Sequence, residues 1–431
     1  MPPESKVQNV TGSSGFFSEP GVAIDPGNRK HAVVVWQDPA TAAWTDDGGN
    51  TWRRASGVKS TRYKVSGDVS VTFDAEHHAI ICYMAFDKLG TTDYWAHRAG
   101  RNGIFVRRSL DGGATWESQD RAVTENPDKP GAPMEDKPWI VADQTKTAFR
   151  GNLYVGWTHF TLAHSSILLS RSTDDGLTWS APLQISTRLG SPRDDNGDVE
   201  GFTGSVAPDG TLYVSWTDGE HIVFTRSHDG GVTFERSREV LPTGDAYFSL
   251  TQVRRCNGFP VMTLAPGEGG SPMRLYEVWS DLTNGDADIF CSSSDDRGSR
   301  WSAPVRVNDD ALHDGVDQFF ASASADPQTG ALYVLLYDRR AIPGGQRARV
   351  VLARSTDGGR IFRNFDWTTT GFNPMNAFIG DYTAVAALGG MVYGAWAETQ
   401  PPSDAGVTGS PQRRYLGTVV RAASADFGTR H

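Results

Sequence analysis

Short apolar runs alternate with turn residues along the whole chain. HAVVVW (His31–Trp36), NLYVGW (Asn152–Trp157), TLYVSW (Thr211–Trp216) and ALYVLLYD (Ala331–Asp338) are β-branched and aromatic, and each is bounded by Gly, Asp or Pro. This is the signature of buried strands. Shorter strands flank each run. One precedes it, as in VSVTFD, WIVAD or FFASASAD; one follows a variable loop, as in GIFVRRS, SILLSRS, HIVFTRS or RVVLARS. A tight turn then leads into a last strand such as SAPLQIS or SAPVRVN. No long stretch shows helical periodicity, so the pattern predicts four-stranded antiparallel units repeated in series.

The tight turn before the last strand carries a recurring phrase. It reads TDDGGNTW at Thr45–Trp52, SLDGGATW at Ser109–Trp116, STDDGLTW at Ser172–Trp179, SHDGGVTF at Ser227–Phe234, SDDRGSRW at Ser294–Trp301 and STDGGRIF at Ser355–Phe362. The shared aspartates are Asp47, Asp111, Asp174, Asp229, Asp296 and Asp357, spaced 64, 63, 55, 67 and 61 residues apart. Such a period is too long for a helical solenoid and suits a propeller blade. In each phrase Asp accepts turn N–H groups, Gly takes a positive φ, and Trp or Phe packs between sheets. Those are structural tasks.

A seventh unit is split between the termini. DYTAVAA, MVYGAWAE and YLGTVVRAAS supply three strands, ending in Ser424-Ala425-Asp426-Phe427-Gly428-Thr429, and Ser5–Val10 supplies the fourth. The expected fold is therefore all-β: one seven-bladed β-propeller closed by its N-terminal strand. Its blades fall at about 16–60, 66–124, 136–187, 200–242, 259–308, 317–368 and 379–423 plus 5–11. Closure removes exposed sheet edges.

Composition narrows the partners. The chain has 431 residues and a net charge of −10. No Lys/Arg run suggests nucleic acid, and no apolar run is long enough for a membrane helix. The start MPPESK lacks the basic and apolar segments of a signal peptide. A secreted or extracytoplasmic monomer acting on a carbohydrate or glycoconjugate is expected. Cys82 reads as a buried thiol, while Cys256 and Cys291 fall in one blade and offer a disulfide. No cofactor is required. Asp194, Asp195, Asn196 and Asp198 gather oxygen donors for a structural Ca²⁺, although their spacing is not that of the twelve-residue calcium loop.

The phrases are similar to Asp-box, or BNR, repeats, and the chain resembles the sialidase superfamily of propellers over nearly its full length. That resemblance implies the fold and a glycan-directed activity. Sialidases carry an F/Y-R-I-P segment whose Arg clamps the substrate carboxylate; here Phe17-Ser18-Glu19-Pro20 stands in its place. A carboxylate there repels an anionic sugar. Gly380-Asp381-Tyr382-Thr383 is similar to the segment around the sialidase Tyr.

Loop length points to the working face. The long connections, including Phe86–Gly103, Ser186–Gly201, Leu241–Gly258, Asp338–Arg347 and Thr399–Arg413, open on the face opposite the repeated turns. Innermost strands begin there with Glu19, Asp68, Asp136, Glu200, Asp317 and Asp381, beside Tyr382. Two such carboxylates suit glycosidic hydrolysis, and Asp68 with Asp136 are favoured because they adjoin an aromatic loop. Tyr94, Trp95, His97, Arg98, Trp139, His159, Arg254 and Arg339 are the candidate sugar-binding groups. The leading function is an exo-acting glycoside hydrolase. The alternatives are a non-catalytic carbohydrate-binding propeller and a polysaccharide lyase with His97, His159 or a Tyr as base.

Overall fold

The computed structural model describes residues 2–428 apart from positions 4, 38, 92–93, 268–272, 341–346, 375–376 and 401–416. The expectations placed on 341–346, 401–413 and Thr429 lie outside the described residues. No helix occurs among the described residues, and none is long and apolar enough to cross a membrane.

Seven four-stranded antiparallel sheets form a ring. Their innermost strands are Ser18–Asp25, Val65–Phe73, Met134–Ala142, Glu200–Val206, Val261–Ala265, Gln318–Ala325 and Ala384–Leu388. Each touches the next, and the first touches the seventh. The N-terminal strand Lys6–Asn9 pairs with the C-terminal strand Gly417–Asp426, Lys6 opposite Ser424 and Asn9 opposite Arg421. Arg29 in the first blade also meets Asp426 at 3.0 Å. A fully antiparallel seventh blade thus joins both ends of the chain and closes the ring.

The second strand of most blades is apolar on both faces because it is covered by the neighbouring blades. Trp36, Trp157, Trp216, Trp279 and Trp396 end these runs fully buried. The aromatics of the repeated turns pack at the same interfaces: Trp116 between the first and second blades, Trp179 between the second and third, Phe234 between the third and fourth.

The six turns share one hydrogen-bond scheme. In the second blade Ser109 Oγ donates to Asp111 (2.7 Å) and accepts from Gly113 N (2.7 Å), while Asp111 accepts from Thr115 N (2.8 Å) and Thr115 Oγ1 (2.6 Å). Gly113 needs its positive φ, and a Cβ there would strike Val33 of the preceding blade. The terminal phrase departs from this scheme: Ser424 Oγ donates to Gly48 O at 2.8 Å, which ties the seventh blade to the first.

Cys256 and Cys291, which the sequence left open as a pair, are not bonded: all three cysteines are free and buried. Cys256 lies in a small hairpin (Tyr247–Phe248 with Cys256–Asn257) outside the blades, whereas Cys291 lies in the core between the fifth and sixth blades.

Candidate functional site

Five inner strands share a local irregularity where they begin. The register slips between Ser18 and Gly21, Gly67 and Ser70, Asp136 and Trp139, Glu200 and Thr203, and Phe319 and Ser322. Each slip is a β-bulge. In four of them a non-glycine residue takes a left-handed backbone: Glu19 (φ 50°), Asp68 (45°), Lys137 (43°) and Phe320 (51°); Gly201 takes it in the remaining one. Such conformations cost about 1–3 kcal/mol each and persist where surrounding structure enforces them. A bulge re-aims the side chain it carries. Here it turns charged groups from successive blades toward the axis of the ring, at the end opposite the repeated turns.

The result is a buried cluster of acids around two cations. Asp68 is in hydrogen-bond contact with Glu19 on one side and Asp136 on the other. Gln37 clamps the first pair: its amide N–H donates to Glu19, and its carbonyl accepts from Asp68 N at 2.7 Å. The Lys137 ammonium bonds Asp381 and lies 3.9 Å from Glu200. Arg255 grips Asp381 with two N–H groups, one of them at 2.8 Å, and meets Asp194 at 3.3 Å and Asp195 at 3.5 Å. Tyr247 donates to Glu200 at 3.2 Å.

Burial and charge split these carboxyls into two protonation classes. Burial, with Asp68 and Asp381 nearby, raises Glu19 well above the ordinary carboxyl range. Asp136 is raised by burial and by Asp68. Glu200 is raised by burial in spite of Lys137. Burial and Asp195 push Asp194 up to about 7, and burial pushes Asp198 up to about 6. Two members go the other way. Burial alone would raise Asp68, but Lys137 and the hydrogen bonds from Glu19 and Asp136 hold it below its usual value. Asp381 is likewise lowered against burial by Arg255 and Lys137. Asp68 is therefore the more acidic member, flanked by two acids that hold their protons more tightly. Because the three are coupled, they titrate as a unit.

Asp68 and Asp136 retain 8% exposure while Glu19 and Glu200 have none. A cavity of about 50 Å³ nearby has Lys137, Trp139, Phe202, Phe259, Phe320 and Tyr382 in its lining. Burial, with the neighbouring acids Glu19, Asp68 and Asp381 adding to it, raises the Tyr382 phenol well above its ordinary value, so its hydroxyl keeps its proton.

The other sequence candidates fall in several places. Asp317 stands just before its strand's bulge and is spent on Arg339 at 3.0 Å. Arg339 is 2% exposed and also donates to Thr251 O at 2.6 Å, which leaves it no face for a sugar. Trp95 and Trp139 pack against blade cores. Tyr94 borders the mouth: its hydroxyl accepts from Arg193 at 2.8 Å, and its ring stacks on His97 at 4.5 Å. Arg98 is exposed beyond His97, and Arg254 is exposed beside Phe378. His159 bonds Glu135 at 2.8 Å, and this carboxylate raises its pKa against the opposing effect of burial.

The four calcium candidates do not converge. Asp195 turns to Arg255, Asp198 lies against Tyr247 and Glu200, and Asn196 is exposed. Asp194 instead joins Asp136 and Glu200, whose oxygens lie within 4.8 Å of one another. That is a donor set for a hard cation, but the Lys137 ammonium beside Glu200 already supplies positive charge there.

Sequence reading overlooked Lys137 and Gln37. The signal was present for Lys137. Once the blades are aligned on the bulge, Lys137-Pro138-Trp139 stands where Glu19-Pro20-Gly21 and Asp68-Val69-Ser70 stand. Gln37 ends an apolar run, and nothing local marks it.

No protein-family model and no curated protein sequence matches the chain. Solved structures similar to it include the Hadza microbial sialidase Hz136, at 16% identity and TM-score 0.51 over 92% of this chain and 73% of that one. A protein of unknown function from Dyadobacter fermentans matches at 12% identity and TM-score 0.50 over 99% of both chains. An ulvan lyase from a new family of polysaccharide lyases matches at 12% identity and TM-score 0.50 over 90% and 93%. At such identities the likeness is one of fold alone, and the similar structures include glycan-active proteins.

Proposed function

We propose that the mouth cluster is the reaction centre of a glycan-active propeller of the sialidase superfamily, acting as an exo-glycoside hydrolase. One observation carries this reading: Asp68 and Asp136 are adjacent buried carboxyls in hydrogen-bond contact, and their surroundings drive their pKa values in opposite directions. Divergent pKa values in adjacent carboxyls mark an acid and its ionised counterpart. Asp136 gives its proton to the glycosidic oxygen as the bond breaks. The sugar ring then gains positive charge, which ionised Asp68 stabilises, until a solvent water adds its oxygen to the anomeric carbon and returns a proton to Asp136. Lys137 keeps Asp68 ionised, and Gln37 fixes its backbone.

The direct contact between Asp68 and Asp136 is closer than the roughly 5–9.5 Å of carboxyls that flank a glycosidic bond. The pair therefore acts on one side of the bond. Asp194, within 4.8 Å of Asp136, is the nearest additional carboxyl on a mouth loop.

Sialic acid fits this centre poorly. Its carboxylate needs free cations, whereas Lys137 and Arg255 are bound by Asp381, Asp194 and Asp195. The test is a screen of aryl glycosides and natural oligosaccharides with Asp68→Asn and Asp136→Asn as controls. Turnover lost in both variants supports the reading. Binding without turnover across the whole screen would move the protein to the carbohydrate-binding class.

A further inference from the structure

A second cavity lies on the same side of the ring. It is an open cleft of about 660 Å³, within the usual range for ligand pockets. One wall is the long second-blade loop with His97 and Arg98; the other is the link to the third blade with Asp128, Lys129 and Pro130. Leu162 closes one side with its apolar surface, 49% exposed.

The charge of this cleft is opposite to that of its surroundings. The chain carries −10 overall, and the mouth is crowded with carboxyls. In the cleft, two full cations and a His accompany a single acid, Asp128. Neither Arg98 nor Lys129 forms an ion pair among the described residues. Arg101, only three positions on, is committed to Asp87 at 3.3 Å and to the Tyr63 ring at 4.4 Å. Arg98 is also held in a left-handed backbone with φ 62°. Thr91 and Tyr94 exchange two backbone hydrogen bonds, and the Tyr94 ring stacks on His97.

The cleft is linked to the mouth. His97 stacks on Tyr94, Tyr94 accepts from Arg193, and Arg193 adjoins Asp194 of the cluster. We infer that this cleft binds an acidic unit of a glycan, a uronate or a sulfate ester. The substrate would then be an anionic chain that presents a neutral sugar to the carboxyl cluster. Arg98 and Lys129 supply charge-assisted hydrogen bonds to the acid, and Leu162 lies against the apolar face of the ring. The mouth offers an anion no free cation, because Lys137 and Arg255 are bound by Asp381, Asp194 and Asp195, so the two sites sort the two sugar types. This inference rests on the glycan reading above.

The test measures binding, not turnover. Uronate-bearing and sulfated oligosaccharides are titrated calorimetrically, each beside its carboxyl-reduced or desulfated counterpart. At least one acidic form binds about tenfold more tightly than its neutral partner, as expected for charge-assisted hydrogen bonds. Which series shows the difference separates uronate from sulfate. High salt and the Arg98→Ala/Lys129→Ala double variant remove the preference, and Arg98→Lys keeps part of it. Equal affinity for every acidic and neutral pair overturns the inference, as does an unchanged preference in the double variant. Asp136→Asn retains the preference, so a failure of the catalytic reading is distinguishable from a failure of this one.

Discussion

The two ends of the ring use the same side chain in opposite ways. At the repeated turns an aspartate sits near solvent and accepts several short hydrogen bonds from hydroxyls and backbone N–H groups. Asp229, for example, is bonded by Ser227, Thr233 Oγ1 and Thr233 N, and these bonds overcome partial burial to lower it to about 2. At the mouth the acids face one another in a buried cluster with two cations. Most are raised, and Asp194 reaches about 7. Donors decide the difference. A carboxylate supplied with N–H and O–H groups keeps its charge at little cost, whereas one supplied mainly with other carboxyls holds a proton. The first arrangement fixes a turn. The second stores a proton where chemistry can use it.

The largest contrast should appear in activity. Asp136→Asn removes the proton donor and lowers kcat about 10²–10⁴-fold, measured on the substrate returned by the glycoside screen. Asp111→Asn at a repeated turn leaves kcat unchanged. An equal loss from both would erase the distinction between the faces.

Next is stability. Lys137→Met leaves Asp381 and Glu200 short of their buried cation and lowers unfolding free energy by about 3–5 kcal/mol, read from urea unfolding. A variant as stable as the parent would show that the cluster is held by shared protons alone.

The pH dependence comes third, and its sign differs between the faces. Asp194 and Asp198 have raised values in the folded chain, about 7 and about 6. Between the ordinary carboxyl value and those figures the folded state binds more protons than the unfolded state, so their contribution to stability falls as pH rises through that window. Asp229 and Asp296, at about 2, contribute stability above the ordinary carboxyl value and lose it as pH falls toward 2. Thermal unfolding from pH 4 to pH 8 should flatten in Asp194→Asn and keep its slope in Asp229→Asn.

The smallest effect is the loss of one turn. Ser109→Ala removes the hydroxyl that links Asp111 and Gly113 N, and costs about 1 kcal/mol in the same urea measurement. A much larger cost would mean that the turn bears on the packing between blades as well as on its own geometry.

The fold was legible in the sequence because its determinants are local. Continuous apolar runs and the six turn phrases each depend on residues a few positions apart, and the split terminal unit shows as partial copies of the same pattern at the two ends. Turn chemistry repeated six times leaves little freedom in strand order. The face of the site was legible for a related reason: loop length is a property of the chain. The identity of the site was only partly legible. Glu19, Asp68, Asp136, Glu200 and Asp381 do come together, but the sequence offered them as equals and included Asp317 among them. Tertiary structure alone removed Asp317 by giving it Arg339, brought in Lys137 through a bulge and Gln37 from a neighbouring strand, and spent Arg255 on Asp381. It also lowered the Asp68 carboxyl and raised that of Asp136. A residue's type is fixed by sequence, but its charge state is set by the burial and partners that distant segments supply, and those exist only once the ring has closed.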